Sequence, residues 1–316
     1  MTEHPIEVQG LRREFDSFVA VRDVSFYVER GEIFGYLGAN GAGKSTTIRM
    51  LCGLLAPTGG KAVVAGHDIA HSPQSVKASI GYMSQKFSLY LDLDAHDNLE
   101  FFGGIYGLRG KALRTAIDRV VERTDLGEHR NALTSALPGG IRQRLALACS
   151  VLHSPSIVFL DEPTAGVDPI SRRTFWRLIR ELASQGTTIF VTTHYMDEAE
   201  YCARIGLMVD GELTALDTPD ALKRKYVPGT TVAFQGRDMQ RAVKAMREAP
   251  FVRAVDLFGA DLHVRFDERA TDLQAIERAL RKAGGVPEHS EQVDASLEDV
   301  FLAVVGHTQK SAPEAA

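Results

Sequence analysis

Short apolar runs alternate with longer amphipathic stretches along the first two thirds of the chain. This pattern predicts strands at Ala20–Val28, Ile33–Leu37, Ile157–Leu160 and Thr187–Thr192, and helices at Lys44–Gly53 and Arg172–Ser184. Strands that alternate with helices predict a parallel sheet with helices on its faces. We therefore place this part of the chain in the α/β class.

The pattern stops at Tyr226-Val227-Pro228-Gly229, a helix end followed by loop residues, and then starts again. The elements predicted after this point are a strand at Thr230–Gln235, a helix at Met239–Glu248, strands at Ala254–Phe258 and Leu262–Phe266, a helix at Leu273–Gly284 and a strand near Glu291–Asp294. This βαββαβ order is ferredoxin-like. We predict a first domain at residues 1–226, a small ferredoxin-like α+β domain at 229–306 and a disordered tail at 307–316.

Composition and charge narrow the class of protein. The 316 residues are 44% hydrophobic and 24% charged, which is typical of a globular chain and excludes collagen, disorder and a polytopic membrane protein. The net charge of -5 gives no general basic surface for nucleic acid. Cys52, Cys149 and Cys202 are odd in number and far apart, which indicates neither a disulfide framework nor a zinc site and favours a reducing, cytosolic compartment.

Neither an export signal nor a membrane span is expected. The amino terminus is acidic and polar, unlike a signal peptide. The most apolar long segment is Leu145–Leu160, but Ser150, His153 and Pro155 interrupt it, and a spanning helix needs about 20 mostly apolar residues.

A glycine-rich segment, Gly38-Ala39-Asn40-Gly41-Ala42-Gly43-Lys44-Ser45, follows an apolar strand and precedes a helix. Its pattern is that of a phosphate-binding loop, in which backbone N–H groups surround one anion, Lys44 reaches the β and γ phosphates and the Ser45 hydroxyl binds Mg²⁺. A glycine-rich turn without a ligand is the alternative, but every motif position is filled. The predicted nucleotide-binding residues here are Gly38, Asn40, Gly41, Ala42, Gly43, Lys44, Ser45 and Thr46.

Two carboxylates, Asp161 and Glu162, end the apolar run Ile157–Leu160. Taken alone, such a strand end is more often only solvated. A buried parallel strand would, however, deliver both carboxylates to the carboxyl edge of the sheet, beside the phosphates. We expect Asp161 to hold Mg²⁺, through water, and Glu162 to orient or deprotonate the attacking water.

Three more segments flank the carboxylates along the chain. Before Asp161 come Gln85, in Gly81-Tyr82-Met83-Ser84-Gln85, and the stretch Leu137-Pro138-Gly139-Gly140-Ile141-Arg142-Gln143-Arg144; after it comes His194, which follows Val191-Thr192-Thr193. Together with the phosphate loop and the carboxylates, these segments resemble the ATP-binding subunit of an ABC transporter, over about Ile6–Leu216. The resemblance implies an ABC-type P-loop NTPase domain with a helical subdomain.

The resemblance also implies residue roles. Phe15 would stack on adenine, although Phe15 or Phe18 could instead belong to the core. Gln85 would sense Mg²⁺ and the γ-phosphate, Asp168 would lie at the dimer seam, and His194 would stabilise the charge that develops on the γ-phosphate.

The signature stretch departs from the family pattern Leu-Ser-Gly-Gly, because Pro138 stands at the serine position. Proline supplies neither a hydroxyl nor an N–H group, so Gly139, Gly140 and Ile141 would bind the γ-phosphate of the opposite subunit through their amides. Two hypotheses follow. Either ATP-driven closure is weaker but intact, or the subunit has a degenerate site and pairs with a different ATPase subunit.

Two segments resemble the multidrug and daunorubicin-type exporter branch. One is Leu297-Glu298-Asp299-Val300-Phe301. The same pattern is also explained by a short amphipathic helix with Leu297, Val300 and Phe301 buried. The other is Ser84-Gln85-Lys86-Phe87-Ser88-Leu89-Tyr90, which we expect to form a groove for a coupling helix of the permease.

The sequence thus predicts an ATPase subunit that uses ATP and Mg²⁺ to power a separate membrane permease, an exporter of drugs or small molecules. It would bind the cytoplasmic face of the membrane peripherally and pair with a second ATPase subunit, with a homodimer favoured and a membrane adaptor protein as an additional candidate partner. Two alternatives stay open: an ATP-binding regulatory or degenerate subunit of a heteromeric pair, and a soluble ABC ATPase acting on nucleic acid or ribosomes. Net charge and the single nucleotide module weigh against the latter, so we expect no nucleic acid partner.

Overall fold

The computed structural model describes residues 4–85, 89–259, 261–267 and 269–311. The chain divides into two compact units, Met1–Pro219 and Asp220–Ala316. The sequence places the boundary at Tyr226–Gly229, one short helix later than this division. Each unit has its own hydrophobic core.

The first unit contains two sheets and several helices. Within the described residues its strands are β1 (Ile6–Phe15), β2 (Phe18–Val28), β3 (Ile33–Gly38), β4 (Gly59–Val64), β5 (His67–Asp68), β6 (Ile80–Met83), β7 (Ile157–Asp161), β8 (Thr188–Thr193), β9 (Arg204–Val209) and β10 (Glu212–Asp217). Its helices are α1 (Lys44–Leu51), α2 (Pro73–Ser79), α3 (Ala95–Ile105), α4 (Gly110–Arg123), α5 (Gly139–Val151), α6 (Pro169–Ser184) and α7 (Met196–Ala199).

The larger sheet has the order β10-β9-β3-β8-β7-β6, in which all neighbours are parallel except β10, which runs antiparallel to β9. The predicted parallel sheet is thus confirmed. Every residue of β3, β7 and β8 is buried, as expected for strands covered on both faces. Because β3, β6, β7 and β8 point the same way, the residues that follow them meet at one edge of the sheet.

A second, antiparallel sheet, with the order β2-β1-β4-β5, packs against the first. Aromatic rings fill the space between them: Phe26 of β2 stacks on Phe34 of β3 with ring centroids 5.3 Å apart, and Phe34 stacks on Phe190 of β8 at 5.5 Å. These rings bury large apolar areas in favoured stacking geometry. The core therefore anchors β3 and β8, the two strands that lead into the glycine-rich loop and to His194.

Helices α3, α4 and α5 contact one another and form the helical subdomain that the family resemblance implies. The apolar stretch Leu145–Leu160 is divided between α5, which ends at Val151, and β7, which begins at Ile157. Among the described residues, no helix combines the length and apolar character that a membrane span requires.

In the described part of the second unit, the elements are α8 (Pro219–Tyr226), β11 (Thr230–Arg237), α9 (Met239–Arg247), β12 (Val252–Phe258), β13 (Asp261–Phe266), α10 (Leu273–Lys282), β14 (Val286–Val293) and α11 (Leu297–Ser311). The order β12-β13-β11-β14, with antiparallel neighbours, is that of a ferredoxin-like sheet. Helices α9 and α10 bury Met239, Met246, Ile276 and Leu280 in this unit's core.

Two predicted boundaries differ in the second unit. Strand β14 begins at Val286, before the predicted start near Glu291, because it pairs with β11 from Val286 onward. Helix α11 continues to Ser311 and so includes the first residues of the tail that the sequence predicts to be disordered, 307–316; residues 312–316 lie outside the described residues. As the amphipathic pattern predicts, Leu297 and Val300 are buried, whereas Phe301 is half-buried.

Candidate functional site

The glycine-rich loop connects β3 to α1 and needs its glycines at specific points. Gly43, the N-cap of α1, has a φ of 101°, and a Cβ there would lie 2.5 Å from the backbone oxygen of Ala20. Gly41 has a φ of 85°, and a Cβ on Gly38 would lie 2.5 Å from the oxygen of Met208. The first amides of α1, around Ser45 and Thr46, lack helical acceptors and carry the positive end of the helix dipole, as an anion site requires.

Lys44 lies on the inner side of this loop. Its side chain is 3% exposed, and its Nζ donates to the backbone oxygens of Gly38, at 2.8 Å, and Ala39, at 3.1 Å. The same ammonium is 3.3 Å from Oε1 of Glu162. Asn40 and Gly41, at the tip of the loop, are exposed, whereas Ala42 is buried. The lysine thus joins the loop to the end of β7.

Asp161, the last residue of β7, faces the start of α1. Its Oδ1 accepts hydrogen bonds from Oγ of Ser45, at 3.1 Å, and from Oγ1 of Thr192, at 2.7 Å. Burial raises the pKa of the Asp161 carboxyl above its usual value, and the two hydroxyl groups offset part of this effect. A buried carboxyl with a raised pKa beside a phosphate loop is typical of a functional site.

The donor set here suits magnesium. Ser45 offers a hydroxyl oxygen, Asp161 a carboxylate oxygen and Gln85 an amide oxygen, and Mg²⁺ prefers oxygen ligands supplied by few protein groups together with nucleotide phosphates. The side chain of Gln85 donates Nε2 to Glu162, and an amide that donates through its nitrogen keeps its oxygen as an acceptor for a cation. The residues present fit the predicted ion.

Glu162 is the centre of the cluster. Oε1 lies 3.3 Å from Nζ of Lys44, and Oε2 accepts a hydrogen bond from Nε2 of Gln85 at 3.0 Å and lies 3.3 Å from Nδ1 of His194. The side chain is 6% exposed. Lys44, Gln85 and His194, which are up to 150 positions apart in the sequence, therefore meet at the Glu162 carboxylate.

The backbone of Glu162 is held in an uncommon conformation. Its φ is 47°, in the left-handed region that residues other than glycine rarely adopt. The N–H group donates to both the oxygen and Oγ1 of Thr192, at 3.1 and 2.9 Å. Such strain is concentrated at functional sites.

The other predicted residues lie on different elements. Phe15 ends β1 and is 42% exposed, with the guanidinium of Arg13 4.4 Å from its ring centroid. An exposed aromatic ring can stack on a base, so the geometry is compatible with the predicted platform. Phe18, the alternative, is 61% exposed, so neither ring is in the core.

One of the two signature glycines, Gly140, packs against the start of α6. Pro138 is the N-cap of α5, and no side chain caps this end of the helix. A Cβ on Gly140 would lie 2.3 Å from Oγ of Ser171, whereas Gly139 has open space on that side. Asp168 caps α6 by accepting from the amides of Ile170 and Ser171, and these bonds lower the pKa of its carboxyl. The nucleotide-binding roles of Pro138, Gly139, Gly140 and Asp168 stay predictions.

Sequence reasoning missed Thr192, whose hydroxyl bonds to Asp161 and accepts from the Glu162 amide. The available signal is weak, because Thr192 is one of three buried threonines in β8, with Thr188 and Thr193; its own exposure is 0%. A buried hydroxyl needs partners.

Comparison with known proteins places this site in a family. A family model described as ABC transporter matches residues 21–165. Daunorubicin resistance ATP-binding protein DrrA2 of Streptomyces coeruleorubidus is 35% identical over 312 residues, which are 97% of this chain and 97% of that protein. This chain belongs to the ATP-binding subunits of ABC transporters. The predicted resemblance is therefore confirmed for an ABC ATP-binding subunit of the drug-exporter branch.

Other matches agree with this membership. Probable multidrug ABC transporter ATP-binding protein YbhF of Escherichia coli (strain K12) is 54% identical over 221 residues, 70% of this ABC subunit, which spans only 38% of that relative's length. A solved structure titled Structure of ATP binding subunit of ABC transporter superposes with a TM-score of 0.64 at 27% identity, covering 70% of this subunit and 93% of that chain. A second family model, described as AAA domain, putative AbiEii toxin, Type IV TA system, matches residues 135–196. The predicted P-loop ATPase fold is confirmed.

Proposed function

We propose that this ABC subunit binds ATP with Mg²⁺, hydrolyses it, and as a dimer powers a separate membrane permease that exports drugs or other small molecules. One observation carries the hydrolytic part of the proposal: the Glu162 carboxylate contacts Lys44, Gln85 and His194 within 3.0 to 3.3 Å. Phosphoryl transfer is catalysed mainly by positioning and by stabilisation of charge, and this cluster supplies both.

Each residue of the site has a part in the proposed reaction. The loop amides and Lys44 bind the β and γ phosphates. Ser45, Asp161 and Gln85 would hold Mg²⁺, which neutralises phosphate charge when bound. An oxygen of Glu162 orients the attacking water and accepts its proton. Nδ1 or Nε2 of His194 then donates a hydrogen bond to the γ-phosphate as its charge develops.

The proposed permease contact is formed by residues that follow Gln85 in the chain. Tyr90, Leu91, Phe101 and Ile105 are 40 to 61% exposed, and the rings of Tyr90 and Phe101 are 4.6 Å apart. An exposed apolar patch of this kind is typical of a protein interface. Of the groove predicted at Ser84–Tyr90, residues 86–88 lie outside the described residues. The patch supports docking of a permease helix on this side of the helical subdomain.

The proposed assembly follows from the family. Two copies would each supply a phosphate loop to one ATP and a signature stretch to the other, at the cytoplasmic face of the membrane. DrrA2 is named for daunorubicin resistance and YbhF for multidrug transport, which supports a drug or small molecule as cargo. A membrane adaptor protein is an additional proposed partner.

A second candidate function is favoured by Pro138. A signature without its serine hydroxyl suits a degenerate subunit that binds ATP and pairs with a different, fully active ATPase subunit. Lys44, Asp161, Glu162 and His194 are all present, which favours hydrolysis instead.

The deciding experiment measures Mg²⁺-dependent ATP turnover of the purified chain over a range of protein concentrations, with Glu162→Gln as the inactive control. Turnover per subunit that rises with concentration indicates a competent homodimer. Turnover equal to that of Glu162→Gln at every concentration would refute independent hydrolysis and favour the degenerate subunit.

The permease contact needs a separate test. Phe101→Arg should keep ATP turnover within about twofold, because its exposed ring is not part of the site, and should abolish co-purification of the chain with its membrane partner. Arg180→Glu, which reverses the charge of an exposed side chain on α6, is the control. Equal recovery of the partner with both variants would place the contact elsewhere.

A further inference from the structure

Glu198, in α7, is a fully buried carboxylate that the proposed reaction does not use. It is 0% exposed. Its Oε1 accepts a hydrogen bond from Oγ1 of Thr164 at 2.5 Å and lies 3.3 Å from Nε of Arg172, and its Oε2 accepts from Oγ1 of Thr193 at 2.8 Å. A buried carboxylate is costly unless it is paired and hydrogen-bonded, so these partners hold it firmly in place.

The partners of Glu198 flank the reactive residues. Thr164 follows Glu162 by two positions, and Thr193 directly precedes His194. The hydroxyl of Thr193 also accepts a hydrogen bond from the Tyr195 amide at 3.0 Å. Glu198 therefore contacts Thr193 directly and Tyr195 through the Thr193 hydroxyl, and it also bonds to Thr164 in the segment after Glu162.

Arg172 also contacts the segment around His194, through the ring of Tyr195. Its guanidinium lies 4.1 Å from the ring centroid of Tyr195, and the Tyr195 ring lies 4.1 Å from the ring of His194. Arg172 stands on α6 one turn after the cap residue Asp168, so this stack connects the start of α6 to the histidine. The cation over the aromatic face and the ion pair with Glu198 both favour one orientation of the His194 loop.

We propose that Glu198 is a positioning residue that sets the 3.3 Å approach of His194 to Glu162, with Arg172 as its counter-ion. The expected effect on turnover rests on the proposed ATP hydrolysis. The positioning of the His194 loop by Glu198 does not depend on it. Because a displacement of about 1 Å can lower a rate about 100-fold, loss of Glu198 should affect turnover without removing any group that touches nucleotide.

The test compares four variants of the full chain. Glu198→Gln removes the charge and keeps the size of the side chain, and Thr193→Val removes the hydroxyl between Glu198 and the Tyr195 amide. Thr193→Val also serves if Glu198→Gln does not fold. The controls are Glu181→Gln and Thr174→Val, changes at a half-exposed carboxylate and at a helix hydroxyl of α6.

Two measurements are made on each variant. Hydrogen exchange of the nucleotide-free chain should accelerate about tenfold or more over residues 193–199 in Glu198→Gln and Thr193→Val only. ATP turnover should lose about tenfold or more in kcat while KM for ATP changes less than about threefold. In a His194→Ala background, Glu198→Gln should lower kcat by less than about twofold, because both changes act through the same histidine.

Unchanged exchange over residues 193–199 would overturn the proposal, as would a kcat within twofold of the unmodified chain. A Glu198→Gln effect of equal size with and without His194 would also overturn it. If the unmodified chain has no turnover above Glu162→Gln, the proposed function fails, and the exchange measurement alone decides whether Glu198 positions the loop.

Discussion

Substitution of Pro138 by serine restores the side chain that the ABC signature usually carries. Pro138 is the N-cap of α5, and its oxygen accepts the amide of Arg142 at 3.0 Å, so the helix already begins here. A serine at this position would accept a hydrogen bond from the amide of Gly140 or Ile141. Its O–H group would remain available to donate to a phosphate.

The change should be almost neutral for the isolated chain. A serine cap contributes about 0.5–2 kcal/mol to stability, and loss of the rigid proline costs about 0.4–1 kcal/mol. In the proposed dimer, the hydroxyl would donate to the γ-phosphate held by the other subunit, a bond worth about 1.5–3 kcal/mol. Two such sites give about 3–6 kcal/mol, which corresponds to a dimer dissociation constant about 150- to 20,000-fold lower.

The assay is sedimentation velocity with MgATP, in a Glu162→Gln background that prevents turnover. Dimer dissociation constants are compared for Pro138, Pro138→Ser and Pro138→Ala, since alanine removes the proline without adding a hydroxyl. We expect tighter dimers with serine only. Dissociation constants for serine and alanine within threefold of each other would refute the role assigned to the missing hydroxyl.

Three further substitutions test separate parts of the molecule. Phe15→Ala should raise KM for ATP about 5- to 150-fold in steady-state kinetics with little change in kcat, because base stacking contributes about 1–3 kcal/mol; an equal effect of Phe18→Ala would contradict this. Asn98→Ala should lower the free energy of unfolding in urea by at least about 2 kcal/mol, since its buried amide bonds to both backbone groups of Tyr90, and a loss under about 0.5 kcal/mol would be inconsistent with those bonds. Asp161→Asn should raise the melting temperature of the nucleotide-free chain at pH 7, because burial raises the pKa of this carboxyl and so makes its ionised form unfavourable in the folded state. The gain in melting temperature should shrink as the pH falls toward 4, where the unfolded chain also protonates this carboxyl. A gain that is the same at both pH values would argue against a raised pKa.

Local sequence motifs predict most residues of the candidate site, but they do not predict the hydrogen bonds between them. The glycine-rich loop and the Asp161-Glu162 pair are recognisable because strand, turn and helix follow within a few residues. The hairpin of β9 and β10 was missed although Asp210-Gly211 is a strong turn signal, with φ of 48° and 84°. Partners such as Thr192 for Asp161 and Glu198 for Thr164 are 31 and 34 residues apart, and only the sheet and the packing beside it bring them together.

Thr192 bonds to two consecutive acidic residues with different proposed tasks, to the carboxylate of one and the backbone amide of the other. Its hydroxyl donates to Oδ1 of Asp161, and the same oxygen accepts the amide of Glu162. The positive φ at Glu162 turns the chain so that consecutive side chains separate, one toward Ser45 and the other toward Lys44 and His194. Such a conformation costs on the order of 1–3 kcal/mol, which the pairing of β7 with β8 and the two bonds from the Glu162 amide offset. Valine at position 192 would keep the packing and the backbone acceptor of the Glu162 amide, but it would remove both the second acceptor of that amide and the hydrogen bond to Asp161, so the hydroxyl of Thr192 supports the predicted metal ligand and the predicted base together.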